Sequence, residues 1–134
     1  MKTHIDMTPP KENDIFVFGS NLSGFHGAGA AHYAFRFLDA EYGNGITPTK
    51  QTYPIPTKDR QIVTMKLADI KPYIDKFIQY VKDNPDKNFF ITRIGCGLAG
   101  YKDFDIAPLF SELFGYANCS FPKEWERYEH ILPL

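Results

Sequence analysis

The chain is short of everything that would staple it, anchor it or give it a strong charge. Cysteine occurs twice in 134 residues, at Cys96 and Cys119. Two thiols so placed make neither a disulfide framework nor the CxxC pair of a metal site, so the expectation is a reduced, cytoplasmic compartment with no metal and no cofactor. No run comes near the ~20 apolar residues of a membrane span. The stretch MKTHIDMTPPKEND lacks the apolar region of a secretory leader, so neither export nor a membrane partner is expected. Charge of one sign is also missing. Fifteen Lys and Arg face sixteen Asp and Glu, for a net charge of −1. That leaves no general field for nucleic acid, although it allows a local basic pocket. There is no internal repeat and no low-complexity linker. The ten prolines are scattered apart from Pro9-Pro10. Residues 1–134 therefore read as one domain, and nothing in the composition speaks to oligomeric state.

What is present suits a globular core. Hydrophobic residues make up 43% of the chain and aromatics 16%, and a chain of this size buries about two-thirds of its unfolded surface. IFVFG (15–19) reads as a buried strand. Small and apolar residues then recur at helical spacing from about Ala28 to Tyr42, until Gly43, Asn44 and Gly45 stop them. TYPIPT (52–57) is extended, but Pro54 and Pro56 keep it from being an ordinary central strand. QIVTM (61–65) reads as another short strand. A helix capped by Asp69, with Pro72 in its first turn, runs to about Lys82. FFITRIG (89–95) reads as a strand, and IAPLFSELFG (106–115) as a helix with Gly115 just past its end. NCSF reads as a last strand, and PKEWERY as a terminal turn or helix. Strand and helix alternate, which predicts an α/β fold with a mostly parallel sheet and helices on both faces.

Two glycine-rich segments follow strands in this reading. GSNLSGFHGAGAA contains Gly19, Gly24, Gly27 and Gly29, and GCGLAG contains Gly95, Gly97 and Gly100. In parallel sheets ligands bind beyond the carboxyl ends of the strands, and right-handed crossovers would bring both segments to that edge. Glycine lets backbone N–H groups approach a ligand, and a helix N-terminus adds unpaired donors and partial positive charge. Two such cradles suit a diphosphate with a nucleoside on one side and a sugar on the other. Neither segment is a Walker A loop or a GxGxxG fingerprint, and tight turns with close helix–strand packing are the rival explanation. Gly95, Cys96, Gly97, Leu98, Ala99 and Gly100 are the candidates from the second loop. Gly19, Ser20, Gly27, Ala28 and Gly29 are those from the first. Asn21 has an amide for ribose hydroxyls, or serves as a turn residue or helix cap. His26 has the titration range for acid–base work, although most single histidines do none. Cys96 is a nucleophile if a helix N-terminus holds it as thiolate, and otherwise a small packing residue. Tyr101 either borders the distal ribose or belongs to the core.

The segment ITRIGCGLAGYKDFDIAPLF resembles the second ligand loop of macrodomains, the ADP-ribose-binding modules. The similarity is greatest to the branch holding the terminal ADP-ribose protein glycohydrolases and the DNA ADP-ribosyl glycohydrolase antitoxins. YPIPTKDR, with Thr57 and Lys58, resembles the extended segment ending in Thr-Lys in that branch, and the first glycine-rich loop resembles the Asn-containing turn into a helix. The resemblance runs from about Phe16 to Phe121. It implies a three-layer α/β/α macrodomain-like fold with a mostly parallel, mixed sheet. ADP-ribose or an ADP-ribosylated macromolecule is then the partner, and ADP-ribosyl hydrolysis the activity, with Lys58 as the active lysine.

Attack of that amine on C1″ requires its neutral form, for which Arg60 and Lys50 are the neighbouring cations in sequence. Adenine recognition wants an acceptor for the exocyclic amine and an aromatic face, for which Asp14 and Phe121 are the candidates; the resemblance supports Asp14. Trp125 reads as an anchor for the C-terminal segment. Where glycohydrolases of the branch carry an acid after GCG-Leu, this chain has Ala99; Asp59, Asp103 and Asp105 are the substitutes nearest in sequence. Three other readings stay open: a non-catalytic ADP-ribose reader, a phosphatase for ADP-ribose 1″-phosphate using His26 or an Asp, and a domain for a different nucleotide. A chain this small fits a bacterial or phage setting.

Overall fold

The computed structural model describes residues 1–130. Five strands form one sheet: β1 (Lys2–His4), β2 (Asp14–Asn21), β3 (Thr52–Lys58), β4 (Asn88–Ile91) and β5 (Cys119–Pro122). Their spatial order is β1-β5-β4-β2-β3, and every strand pairing is parallel. The antiparallel component expected of a mixed sheet shrinks to one isolated bridge between Lys58 and Thr64. The fold is α/β, as its alternating pattern predicts. Because β2 is buried on both faces, its residues alternate between two cores. Ile15 and Val17 point into the larger one, with α2 (Leu67–Asp83), α3 (Asp103–Ile106), Phe110, Phe121 and Trp125. Phe16 and Phe18 point into the smaller one, under α1 (Gly29–Phe37) with Ala31, Ala34 and Phe90. Helices thus cover both faces of the sheet, and both cores exclude water from its centre.

Several elements depart from the reading of the sequence. β1 is too short to show alternation and went unpredicted. α1 stops at Phe37 rather than Tyr42, because the Asp39 carboxylate leaves the helix to accept the Gln51 N–H (3.1 Å) and the Thr49 hydroxyl. QIVTM is not a strand. Asp59 takes the N–H groups of Gln61 and Val63 on its carboxylate at 2.9 and 3.0 Å and curls the chain into a tight turn. α2 begins earlier than Asp69, which lies in its first turn, and Pro72 lies inside the helix beyond that turn. The helix expected at 106–115 is a short α3 that tightens into a 3-10 helix at Ala107–Leu113, with Pro108 at its start. The second 3-10 helix, Lys123–Tyr128, closes the larger core with Trp125. Pro54 and Pro56 sit where a strand tolerates them, because β3 is an edge strand.

β1 brings one titratable group under the smaller core. The His4 ring stacks on Phe90 with centroids 3.7 Å apart, and its Nδ1 bonds the Ser120 hydroxyl at 2.7 Å. Burial dominates and pushes its pKa down to about 4, against the opposing pull of Asp6. The unfolded chain, at about 6.5, therefore binds a proton that the fold refuses. This stability is complete above pH 6.5 and is lost as pH falls toward 4. The full shift would correspond to about 3 kcal/mol; solvent reaches part of the ring, so ~1–2 kcal/mol is expected. Urea unfolding between pH 7 and pH 4.5 should show this loss, and His4→Gln should flatten it. An unchanged slope in the variant would place the effect elsewhere.

Candidate functional site

The site lies where the sheet changes direction. β2 and β4 are neighbours, but the chain leaves β2 toward β3 on one side and β4 toward β5 on the other. The two glycine-rich loops that leave these strands therefore diverge and open a crevice at the carboxyl edge, the usual place for a ligand in such a sheet. At its floor the loops nearly touch. A Cβ on Gly19 would lie 3.5 Å from the Gly95 nitrogen and 3.6 Å from the Thr57 hydroxyl oxygen. Gly95 itself has φ +77°, and a Cβ there would sit 3.1 Å from the Ile106 side chain, so only glycine fits without strain. The crevice encloses about 910 Å³, within the range of small-molecule sites.

The first loop is held by its own polar side chains. Asn21 bonds Phe25 at both ends of its amide: Nδ2 donates to the Phe25 carbonyl (2.8 Å) and Oδ1 accepts the Phe25 N–H (2.9 Å). Ser20 donates to the Gly45 carbonyl at 2.6 Å. Both residues line the cleft, yet the Ser20 hydroxyl and the Asn21 amide are occupied in shaping the loop, the turn role that was the rival for Asn21. Gly27, Ala28 and Gly29 also line it. The N–H groups of Gly27 and Ala28 take no protein partner among the described residues, and Ala28 caps α1 with no side-chain bond. Unpaired donors and the positive end of a helix therefore border the cleft.

His26 does not. Its ring is fully buried against Phe18, and Nε2 lies 2.8 Å from the Glu41 carbonyl and 3.1 Å from that of Asn44. Its place is inside the fold behind the loop, which removes it as an acid or base at the cleft.

The second loop repeats the pattern. Gly95, Cys96, Gly97, Leu98 and Ala99 line the cleft, and the N–H groups of Gly97, Leu98 and Ala99 have no protein partner among the described residues. Gly100 and Tyr101 fall outside it: the Gly100 N–H closes a turn to the Gly97 carbonyl, and the Tyr101 hydroxyl donates to the Met65 carbonyl. The surroundings of Cys96 disfavour a thiolate. Burial, reinforced by the Asp103 charge, pushes its thiol up to about 12, so the nucleophile reading falls.

Thr57 and Lys58 end β3 and complete the wall. Lys58 is half-buried and forms no salt bridge among the described residues. Neither Arg60 nor Lys50 lines the cleft with it. The three acids proposed to stand in for Ala99 are engaged elsewhere. Asp59 holds its turn, and Asp105 caps the Lys102 N–H at 3.0 Å. Asp103 accepts Arg93 twice (3.1 and 2.7 Å) and the Trp125 indole (2.9 Å). Partial burial works against its charge, but the bonds from Arg93 and Trp125 outweigh it and hold its carboxyl below the ordinary range. Trp125 is thus an anchor, as read from the sequence.

Two features went unread. Asp6, on the loop after β1, is the one carboxylate among the described lining residues, 3.7 Å from Arg93. The other is an aromatic wall of Phe16, Tyr33 and Phe90. Asp14, the sequence candidate for an adenine contact, is a correction. It starts β2 at the opposite end of the sheet and accepts the Lys11 N–H at 2.9 Å. Phe121 is fully buried in the larger core and presents no face to a ligand. No metal-binding group of three or more His, Cys, Asp or Glu side chains occurs among the described residues, and no described helix is long and apolar enough to cross a membrane. No protein-family model, curated protein or solved structure matches the chain.

Proposed function

We propose that this protein is a macrodomain-like module that binds ADP-ribose and removes it from a modified macromolecule. One observation carries the binding half. Backbone N–H groups without a protein partner among the described residues belong to Gly27–Ala28 and to Gly97–Ala99, which line one cleft from its two loops. That array suits a diphosphate, because several backbone donors and a helix N-terminus together match its charge without a cation. The aromatic wall suits a base through Tyr33, its half-buried member, which Phe16 and Phe90 back from the smaller core, and the Lys58 end suits the distal ribose. There the amine adds to C1″ as the bond to the macromolecule breaks. The departing group takes the electron pair and the proton the amine gives up, leaving a glycosylamine; its ring C1″–O bond then opens, the oxygen taking the second amine proton, and water releases the sugar from the resulting imine.

The test is calorimetric titration with ADP-ribose, with AMP and ribose 5-phosphate as halves and ATP and NAD as competitors. Micromolar affinity for ADP-ribose and at least ~30-fold weaker binding of either half are expected, since both loops must grip one ligand. Preference for ATP or NAD, or no heat at millimolar ADP-ribose, would remove the reading. A second reading, a reader without turnover, is favoured by one fact: Ala99 stands where the glycohydrolases the chain resembles have an acid, none of Asp59, Asp103 and Asp105 lines the cleft, and the one carboxylate among the described lining residues, Asp6, lies 3.7 Å from Arg93. A phosphatase centred on His26 has no such support, since that ring is enclosed.

A further inference from the structure

The segment joining β3 to α2 is a small hairpin clamped to both glycine-rich loops. Lys58 and Thr64 bridge antiparallel, and the Asp59 N–H bonds the Val63 carbonyl at 2.8 Å. On one side Ser23 of the first loop donates to the Arg60 carbonyl at 3.2 Å. On the other, Thr64 donates to the Ala99 carbonyl of the second loop at 3.0 Å. At the tip of this clasp, Ile62 has φ +64°. A β-branched residue in the left-handed region is a genuine outlier, because its branched Cβ crowds the backbone on both sides. Asparagine or glycine would take this conformation with less strain. The strained side chain also lines the cleft, 41% exposed, as do the exposed apolar residues Phe25 (59%), Leu98 (71%) and Met7 (94%).

Core packing does not account for the strain and exposure at Ile62. A strained, half-exposed isoleucine is a poor core residue, whereas strain held by surrounding hydrogen bonds at a ligand clamp is common. We propose that Ile62 is a specificity-determining residue. The clasp holds its side chain, with Phe25 and Leu98, as an apolar collar around the Lys58 end of the cleft. The collar packs on the carbon face of the distal sugar and keeps water from it. This inference rests on the ADP-ribose reading and adds to it the residue that closes the sugar end, at a position that none of the motifs carrying the family resemblance includes.

The experiment compares wild type with Ile62→Asn and Ile62→Gly, each by thermal unfolding and by titration with ADP-ribose. For Ile62→Asn the Kd should rise at least fivefold while Tm stays level or rises, because relief of strain offsets the lost apolar contact. Ile62→Gly should weaken binding similarly. A Kd within twofold of wild type in both variants would overturn the proposal. A Tm loss of more than about 3 °C in both would also overturn it, since the side chain would then belong to the fold. Failure of wild type itself to bind ADP-ribose would overturn the ligand reading and this proposal together, an outcome distinct from wild-type binding that Ile62 does not affect.

Discussion

Lys58→Ala is expected to lower the rate of ADP-ribose release from a modified substrate by at least ~100-fold, the usual scale for loss of a positioned catalytic group, while the Kd for ADP-ribose changes less than about threefold. The split follows from how the cleft is built. On the proposed reading its grip comes from backbone N–H groups on two loops, which a side-chain truncation at the end of β3 leaves in place. The amine itself is held by no carboxylate among the described residues, so its removal strands no buried partner and the fold should keep its Tm. Lys58→Arg keeps a charge but offers no neutral amine, and should be as inactive as the alanine variant. Turnover is measured on ADP-ribosylated protein and on ADP-ribosylated nucleic acid, because the cleft mouth by itself selects neither. Full activity in both variants would remove lysine chemistry. Binding by wild type with no release from either substrate would instead leave the reader, and would make Ala99 the substitution that matters.

How far such a site can be read from sequence depends on where its signals sit. The α/β class was legible because IFVF and FFI are continuous apolar runs, as strands buried on both faces must be, and because helical spacing separates them. The two loops were legible because glycine clusters straight after such runs. Pairing of β2 with β4, which makes those loops neighbours, is a tertiary fact that only the crossover rules hint at. Asp6 was missed because β1 has three residues and no period, and Asp14 drew attention instead by preceding an obvious strand. The strand expected at QIVTM failed on a local competitor, since one Asp59 side chain captures two backbone N–H groups that a strand would need. His26 has the right chemistry for a site, and the Glu41 and Asn44 carbonyls behind the loop claim it. Composition cannot report which side of a loop a ring will face.

The same limit applies to glycine, and here it yields the largest stability effect. In sequence, Gly45 merely stops a helix. In the structure a Cβ on Gly45 would lie 1.8 Å from the Asn21 carbonyl oxygen and 2.9 Å from its carbon. Both are backbone atoms at the end of β2 and cannot rotate away. The two segments lie face to face: Ser20 donates to the Gly45 carbonyl, and the Gly43 N–H bonds the Gly24 carbonyl at 3.0 Å. Gly45→Ala must therefore either push the 43–45 segment off β2 or drag the end of β2 with it. A loss of at least ~3 kcal/mol is expected, a Tm drop of roughly 10 °C or more, or failure to accumulate as folded protein. Gly97→Ala is the contrasting case. A Cβ there meets nothing within 4 Å, its φ is not in the left-handed region, and the residue lines the cleft. Its Tm should stay within about 2 °C of wild type, while on the proposed reading its added methyl stands in the path of the diphosphate and should weaken ADP-ribose binding. If Gly45→Ala unfolds at the wild-type temperature, the close contact under the first loop is wrong. If Gly97→Ala binds as wild type does, the second loop is a turn whose glycines serve packing alone, and the diphosphate must be held by the first loop and the start of α1.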